Sequence, residues 1–108
     1  MSTALSIIIV NWNVADLLLD AIQSIIDNPP SCGYEIIVVD NASTDDSISK
    51  LANRFPNVRI IANQKNEGFG KANNQGMQAA QGDYIILLNP DTKIIGNAID
   101  TLLNGLKS

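Results

Sequence analysis

Three short apolar runs, each ending in Asn or Asp, constrain this chain more than any other feature. They are Leu5-Ser6-Ile7-Ile8-Ile9-Val10 before Asn11, Tyr34-Glu35-Ile36-Ile37-Val38-Val39 before Asp40, and Asp83-Tyr84-Ile85-Ile86-Leu87-Leu88 before Asn89. Runs of this length, rich in β-branched residues and bounded by turn formers, predict strands buried on both faces. Val58-Arg59-Ile60-Ile61-Ala62 predicts a further strand, and residues 92–95 a short extra one.

The intervening segments predict helices. Over 14–27, Leu18, Ala21, Ile22, Ile25 and Ile26 form one apolar face, and Asn13 stands where a cap is needed. Ser43 with Asp46 three residues later resembles a capping box for a helix running to about Phe55, burying Ile48, Leu51, Ala52 and Phe55. Over 71–80, Ala72, Gly76, Met77 and Ala80 allow close approach to a sheet, and over 96–106 the apolar residues are Ile99, Leu102, Leu103 and Leu106. Pro29, Pro30 and Pro56 interrupt the helical segments. The order β-α-β-α-β-α-β-(β)-α implies right-handed crossovers and a mainly parallel sheet, an α/β fold.

The chain has 108 residues, 45% of them hydrophobic, which supports one compact domain over 1–108. Its net charge is −4 and it has no basic run, which argues against a nucleic-acid surface. An acidic chain that binds a phosphorylated ligand needs a cation or backbone N–H groups. The absence of histidine removes Ser–His–Asp and Cys–His catalysis and His-ligated zinc. The single cysteine, Cys32, forms no intrachain disulfide and reads as a small loop or core residue in a reducing, cytoplasmic setting. The apolar run at 7–10 is too short for a membrane span or a signal sequence. A soluble chain is expected, with peripheral membrane association left open.

In open α/β sheets, ligands bind beyond the C-terminal ends of the strands. Asn11-Trp12-Asn13, Asp40-Asn41 and Asn89-Pro90-Asp91 are therefore expected to meet on one rim. Pro90 favours an extended Asn89, so Asn89 and Asp91, two residues apart, can point to one side. Two oxygen-bearing side chains so placed suit a hard divalent cation shared with phosphate oxygens; the same residues also make an ordinary turn. Asp40 is a pure acceptor that could take the N3–H of a uracil or thymine, or simply form a turn with Ser43 as a cap. Trp12, the only tryptophan, could stack on a base or pack in the protein. In Asn66-Glu67-Gly68-Phe69-Gly70-Lys71-Ala72-Asn73, Gly68 and Gly70 permit backbone geometry closed to other residues, and Lys71 could face phosphate or solvent. Asp45 and Asp46 read as first-turn acids, and Asp100 as a solvated charge on the last helix.

Taken in order, Ile8-Ile9-Val10-Asn11-Trp12-Asn13, Val38-Val39-Asp40-Asn41-Ala42-Ser43-Thr44-Asp45, Asn66-Glu67-Gly68-Phe69-Gly70 with Asn73, and Leu88-Asn89-Pro90-Asp91 resemble the N-terminal part of family 2 glycosyltransferases, most closely the rhamnosyltransferase-like branch. The resemblance covers essentially the whole chain. It implies a GT-A (nucleotide-diphospho-sugar transferase) type of α/β fold, with helices on both faces of a mainly parallel sheet. It further implies binding of a UDP- or dTDP-sugar with Mg²⁺ or Mn²⁺. By the resemblance, Asp40 contacts the base, Trp12 packs on it, and Asp91 matches the last carboxylate of the family's Asp-x-Asp metal motif. Asn89 replaces the first carboxylate of that motif. Asn66, Lys71 and Asn73 match a segment lining the nucleotide site, with Asn11 and Gly68 among the expected substrate-binding positions.

Family members continue into an acceptor-binding half that carries the catalytic base of an inverting displacement. The expectation is thus a truncated donor-binding part, with no catalytic base of its own. A non-catalytic nucleotide-binding module, or a homo-oligomer formed through a surface left uncovered, are the competing expectations.

Overall fold

The computed structural model describes residues 3–107. Its elements run β1 (Leu5–Asn11), α1 (Ala15–Asp27), β2 (Tyr34–Asp40), α2 (Ser47–Arg54), β3 (Arg59–Ala62), α3 (Phe69–Ala79), β4 (Tyr84–Leu88) and α4 (Ala98–Lys107). The four strands form one parallel sheet in the order β3-β2-β1-β4. The chain therefore walks outward from β1 to β3, then crosses back to place β4 on the other side of β1. The order reverses between β1 and β4, which makes their C-terminal ends the switch point of the sheet.

β1 is buried along its whole length because it is the inner strand of both pairings and has helices on both faces. Leu5, Ile7 and Ile9 face a core shared with Leu18, Ile22 and Ile25 of α1, Leu51 of α2, and Ile99 and Leu103 of α4. Ile8 and Val10 face the other way and pack with Ile37, Val39 and Ala72 of α3. Each fully buried Ile or Leu contributes about 1.5–3 kcal/mol relative to exposure, so β1 is the largest single source of burial. The unbroken apolar run at 7–10 within β1 follows from this position, since alternation would place a polar residue in one of two cores; the strand's polar residues, Ser6 and Asn11, stand near its ends.

Several local expectations are corrected. Residues 92–95 form no strand; Ile94 instead anchors this segment in the core, with its N–H donated to the Ser24 hydroxyl at 2.8 Å. Ile26, Ala52, Leu102 and Leu106 are exposed, because the apolar stripe of each helix is wider than the contact that covers it. α3 begins at Phe69, two residues before Lys71. Gly70 lies inside it and does not use the backbone freedom that glycine permits. Asp100 is not merely solvated: its carboxylate accepts from the Ser31 N–H and hydroxyl at 2.9 and 3.2 Å, tying α4 to the α1–β2 loop. Cys32 sits half-buried in that loop, packed against the core.

A polar latch fastens the α3–β4 connection to the sheet. Ser6 and Glu35 are register neighbours on β1 and β2. The Glu35 carboxylate accepts from the Ser6 hydroxyl, the Gln81 N–H and the Arg59 guanidinium, each at 2.7 Å. Arg59 also donates to the Ala79 carbonyl, and the Gly82 N–H to the Ser6 hydroxyl. Burial pushes the Glu35 pKa up, but these three hydrogen bonds and the charge of Arg59 outweigh it and hold the carboxyl below the ordinary glutamate range.

Two outcomes follow. A Cβ at Gly82 would lie 2.7 Å from the backbone of Leu5 and Ser6, atoms of the central strand that cannot yield. Gly82→Ala is therefore expected to cost about 1–3 kcal/mol in urea unfolding. Because the Glu35 pKa is lowered on folding, its contribution is complete above the ordinary glutamate range and is lost as pH falls through the folded value. Glu35→Gln should lower stability by about 1–2 kcal/mol near neutral pH and flatten the acid limb of a stability–pH curve.

Candidate functional site

At the C-terminal rim, register alone sets Asn11 opposite Asp40. Asn11 Nδ2 donates to Asp40 Oδ1 at 2.8 Å and to the Ser43 hydroxyl at 3.2 Å. The Ser43 hydroxyl donates to Asp40 Oδ1 at 2.7 Å, and the Ser43 N–H to Asp40 Oδ2 at 3.0 Å. Asp40 is 1% exposed, and three donors already occupy it. Asn11 is equally buried, and its Oδ1 has no partner among the described residues. A buried side-chain acceptor without a protein donor is rare, and among the described residues this is the only one.

The β1–α1 and β2–α2 loops are stitched together. Asn13 does not cap α1; it adopts φ 55° and turns its side chain to the neighbouring loop. Its Oδ1 accepts from the Thr44 and Asp45 N–H groups at 2.7 and 3.1 Å, while its own N–H donates to the Ser43 hydroxyl at 2.9 Å. The Ser43–Asp46 capping box does not form either, because Ser43 is taken by Asp40. Asp45 serves both helix starts instead. It accepts from the Ser47 N–H and hydroxyl at the start of α2 and from the Ala15 N–H at the start of α1. Burial pushes the Asp45 pKa up, but the bonds from Ser47 and Ala15 and the charge of Lys50 outweigh it, holding the carboxyl below the ordinary aspartate range.

Asn41 organises the loop before α3. It is buried, donates to the Gly68 carbonyl, and accepts from the Glu67 N–H and from Asn63 Nδ2. Gly68, with φ 87°, turns the chain into α3 in a conformation that only glycine adopts readily. Asn66 is exposed and its Oδ1 accepts from the Gly68 N–H. Lys71 is exposed and paired with Glu67 at 3.1 Å, and Asn73 is buried on α3. Asn89 and Asp91 are exposed in the turn after β4, closed by the Thr92 N–H donating to the Asn89 carbonyl.

These segments enclose a cleft of about 290 Å³ lined by Val10, Trp12, Val14, Asn41, Asn66, Phe69 and Pro90. It brings Trp12 and Asn66 together; Asp40, Lys71, Asn73, Asn89 and Asp91 are not among its lining residues. Trp12 is 55% exposed and Phe69 59%, so two aromatic side chains stand at one opening. Phe69 was not anticipated from the sequence, although a lone aromatic between two glycines in a polar loop has no core to enter. A larger cavity, about 500 Å³, lies at the opposite end of the sheet among Ile26, Tyr34, Arg54, Phe55 and Val58. The smaller cleft is the better candidate, because it sits at the switch point where α/β sheets bind ligands.

For a divalent cation, the described residues contain no cluster of three His, Cys, Asp or Glu side chains. Asp91 can supply one exposed carboxylate. That fits a Mg²⁺-like ion held mainly by phosphate oxygens and water, and not a cation caged by protein alone.

A parallel α/β sheet whose order reverses between β1 and β4 places the chain in the doubly wound class. Residues 6–108 match the model for glycosyl transferase family 2, and the chain belongs to that family. It is 33% identical over 105 residues to the minor teichoic acid biosynthesis protein GgaB of Bacillus subtilis, covering 92% of this chain and 11% of GgaB. It is 29% identical over 106 residues to glycosyltransferase GlyG of Streptococcus pneumoniae, covering 94% of this chain and 35% of GlyG. The chain thus spans well under half the length of these relatives. Among solved structures, S. aureus TarS superposes with a TM-score of 0.83 at 18% identity, over 97% of this chain and 20% of that one. The mannosyltransferase PcManGT from Pyrobaculum calidifontis, in complex with GDP-Man and Mn²⁺, gives 0.80 at 24% identity, over 99% and 32%. The fold is the GT-A fold of these neighbours.

Since Asp45 holds the first turns of two helices, Asp45→Ala is expected to lower stability by about 1–2 kcal/mol, and Asp45→Asn by less, in chemical denaturation.

Proposed function

We propose that this chain is the donor-binding part of an inverting glycosyltransferase, holding a UDP- or dTDP-linked sugar at the crevice between β1 and β4. The observation that carries the reading is the pairing of Trp12 and Phe69 at the mouth of the switch-point cleft in a family 2 chain. Aromatic side chains stack on a planar base without requiring a particular hydrogen-bond pattern. Asn66 borders the same space, and the unpartnered Asn11 Oδ1 offers an acceptor to a ligand N–H or O–H, or to water. The N3–H contact expected of Asp40 has one acceptor site left to it, on Oδ2, within a carboxylate that is closed off from the cleft. We therefore assign Asp40 to holding Asn11 and Ser43 in place.

The diphosphate would extend toward Asn89 and Asp91, where Asp91 would hold Mg²⁺ or Mn²⁺ together with phosphate oxygens. Such a cation, when bound, would supply charge to offset that on a departing diphosphate. Lys71 is less available for this, being paired with Glu67. Gly68 shapes the loop before α3, and Asn73 is buried on that helix. The acceptor hydroxyl and the base that deprotonates it belong to an acceptor-binding half outside these residues. No helix among the described residues is long and apolar enough to cross a membrane. We place the chain's work in the cytoplasm, where nucleotide-sugar donors would meet it.

Self-association is the second reading. β4 has a partner on one side only, and Leu87, Ile95, Leu102 and Leu106 are exposed on or after it. Open edges flanked by apolar side chains favour pairing with another chain.

Thermal unfolding with UDP, dTDP or GDP, each with and without Mn²⁺, separates the readings. A nucleotide at about 100 times its Kd should stabilise the fold by about 2.7 kcal/mol. The rise should need both nucleotide and metal in the native chain, and Asp91→Ala should abolish the metal dependence. No rise for any nucleotide, with a concentration-dependent dimer in sedimentation, would put self-association first.

A further inference from the structure

Trp12 is held from both sides by one side chain. Its neighbours Asn11 and Asn13 both bond to the Ser43 hydroxyl, Asn11 through Nδ2 and Asn13 through its backbone N–H. The third bond of that hydroxyl is its own proton, given to Asp40 Oδ1. A serine hydroxyl has one donor and two acceptor sites, so Ser43 is saturated. Ser43 is itself aimed by strained backbone. Ala42 before it has φ 62°, a left-handed conformation that disfavours residues with a Cβ, and Asn13 across from it has φ 55°. Two left-handed residues in facing loops, bridged by a saturated hydroxyl, are far more structure than two turns need. The indole they bracket is more than half exposed and lines the cleft.

We propose that Ser43 is a positioning residue that fixes the pose of Trp12 and so sets how strongly the cleft grips an aromatic base. This rests on the donor-binding reading above. Ser43 touches no ligand in it; it acts through the backbone of Asn13 and the amide of Asn11. The Asn13 side chain adds a second pin by accepting from the Thr44 and Asp45 N–H groups. The specificity consequence is that the Trp12 wall of the cleft is set by the β1–α1 and β2–α2 loops, while Asn41 of the second loop holds the Gly68 carbonyl beside Phe69 without using Ser43. A change at Ser43 should therefore alter affinity for every nucleoside diphosphate tested, leaving their ranking unchanged.

Trp12 is the only tryptophan, so its fluorescence reports on this indole alone. In the ligand-free chain, Ser43→Ala should lower Trp12 anisotropy and raise its quenching by acrylamide. Ser43→Thr, which keeps the hydroxyl, should restore both. Asn13→Gly, which keeps the left-handed backbone and removes the second pin, should act in the same direction and serves if Ser43→Ala does not fold. With UDP and Mn²⁺ as the probe, Ser43→Ala should weaken Kd by about five- to thirty-fold, as expected for losing one or two hydrogen bonds to a functional pose. Unchanged anisotropy and quenching in a folded Ser43→Ala chain would overturn the proposal. If the native chain binds none of the nucleotides, the donor reading fails, and the ligand-free fluorescence still decides whether Ser43 positions Trp12.

Discussion

β1 is closed on all four sides: β2 and β4 take its two edges, and α1 and α3 its two faces. Everything else in the molecule is arranged around that closure. A strand so placed has only two outlets for polar chemistry, its ends. At the N-terminal end Ser6 joins the latch of Glu35, Arg59 and Gly82, which fixes where β4 begins. At the C-terminal end Asn11 joins Asp40 and Ser43, which fixes where the rim begins. The interior stabilises the fold by burial, while the two ends decide which connections the burial holds in place.

Most of the polar side chains at the rim serve the protein before they serve any ligand. Asp40, Asn41, Ser43 and Asp45 spend their hydrogen bonds on neighbouring loops. The groups that remain outward are aromatic or lightly tied: Trp12, Phe69, Asn66, Asn89 and Asp91. This division has an energetic logic. Long polar side chains left free in solution lose rotamer freedom when a ligand orders them, whereas an indole on a pinned backbone loses little. A cleft wall whose indole lies between two bonded residues is pre-organised at the cost of the loop strain seen at Ala42 and Asn13.

The strands were legible because burial on both faces leaves one spelling, and the order of elements then followed from the rule of right-handed crossovers. The rim positions were legible as positions for the same reason. Their roles were less so. Asn13 and Ser43 both carry the residue types of helix caps, and local chemistry favours that reading. Other contacts overrode it: the Asn13 side chain found its partners in the facing loop, about thirty residues away, and the Ser43 hydroxyl gives its proton to Asp40 while accepting from Asn11 and Asn13 across the loops. The segment 92–95 has strand-like composition, but β4 gains no second partner there and Ile94 is drawn into the core instead. Phe69 was hidden because an exposed aromatic leaves no periodic signal. The exposed residues of α1, α2 and α4 show the converse: periodicity reports which residues can be covered, and only packing tells which are.

The pairing of β1 with β2 sets Asn11 against Asp40 by the same register that sets Ile8 against Ile37 and Ile9 against Val38. Slipping β2 by one residue would turn its side chains to the opposite faces. It would also remove the carboxylate from the amide at the rim. The instructions for the core and for the crevice are thus written in one alignment. A wrongly paired chain would lose both together, so natural variation cannot drift the crevice along the strand while leaving the interior intact. Change in the shape of the crevice must come through the loops and the aromatic walls, which lie outside that shared alignment.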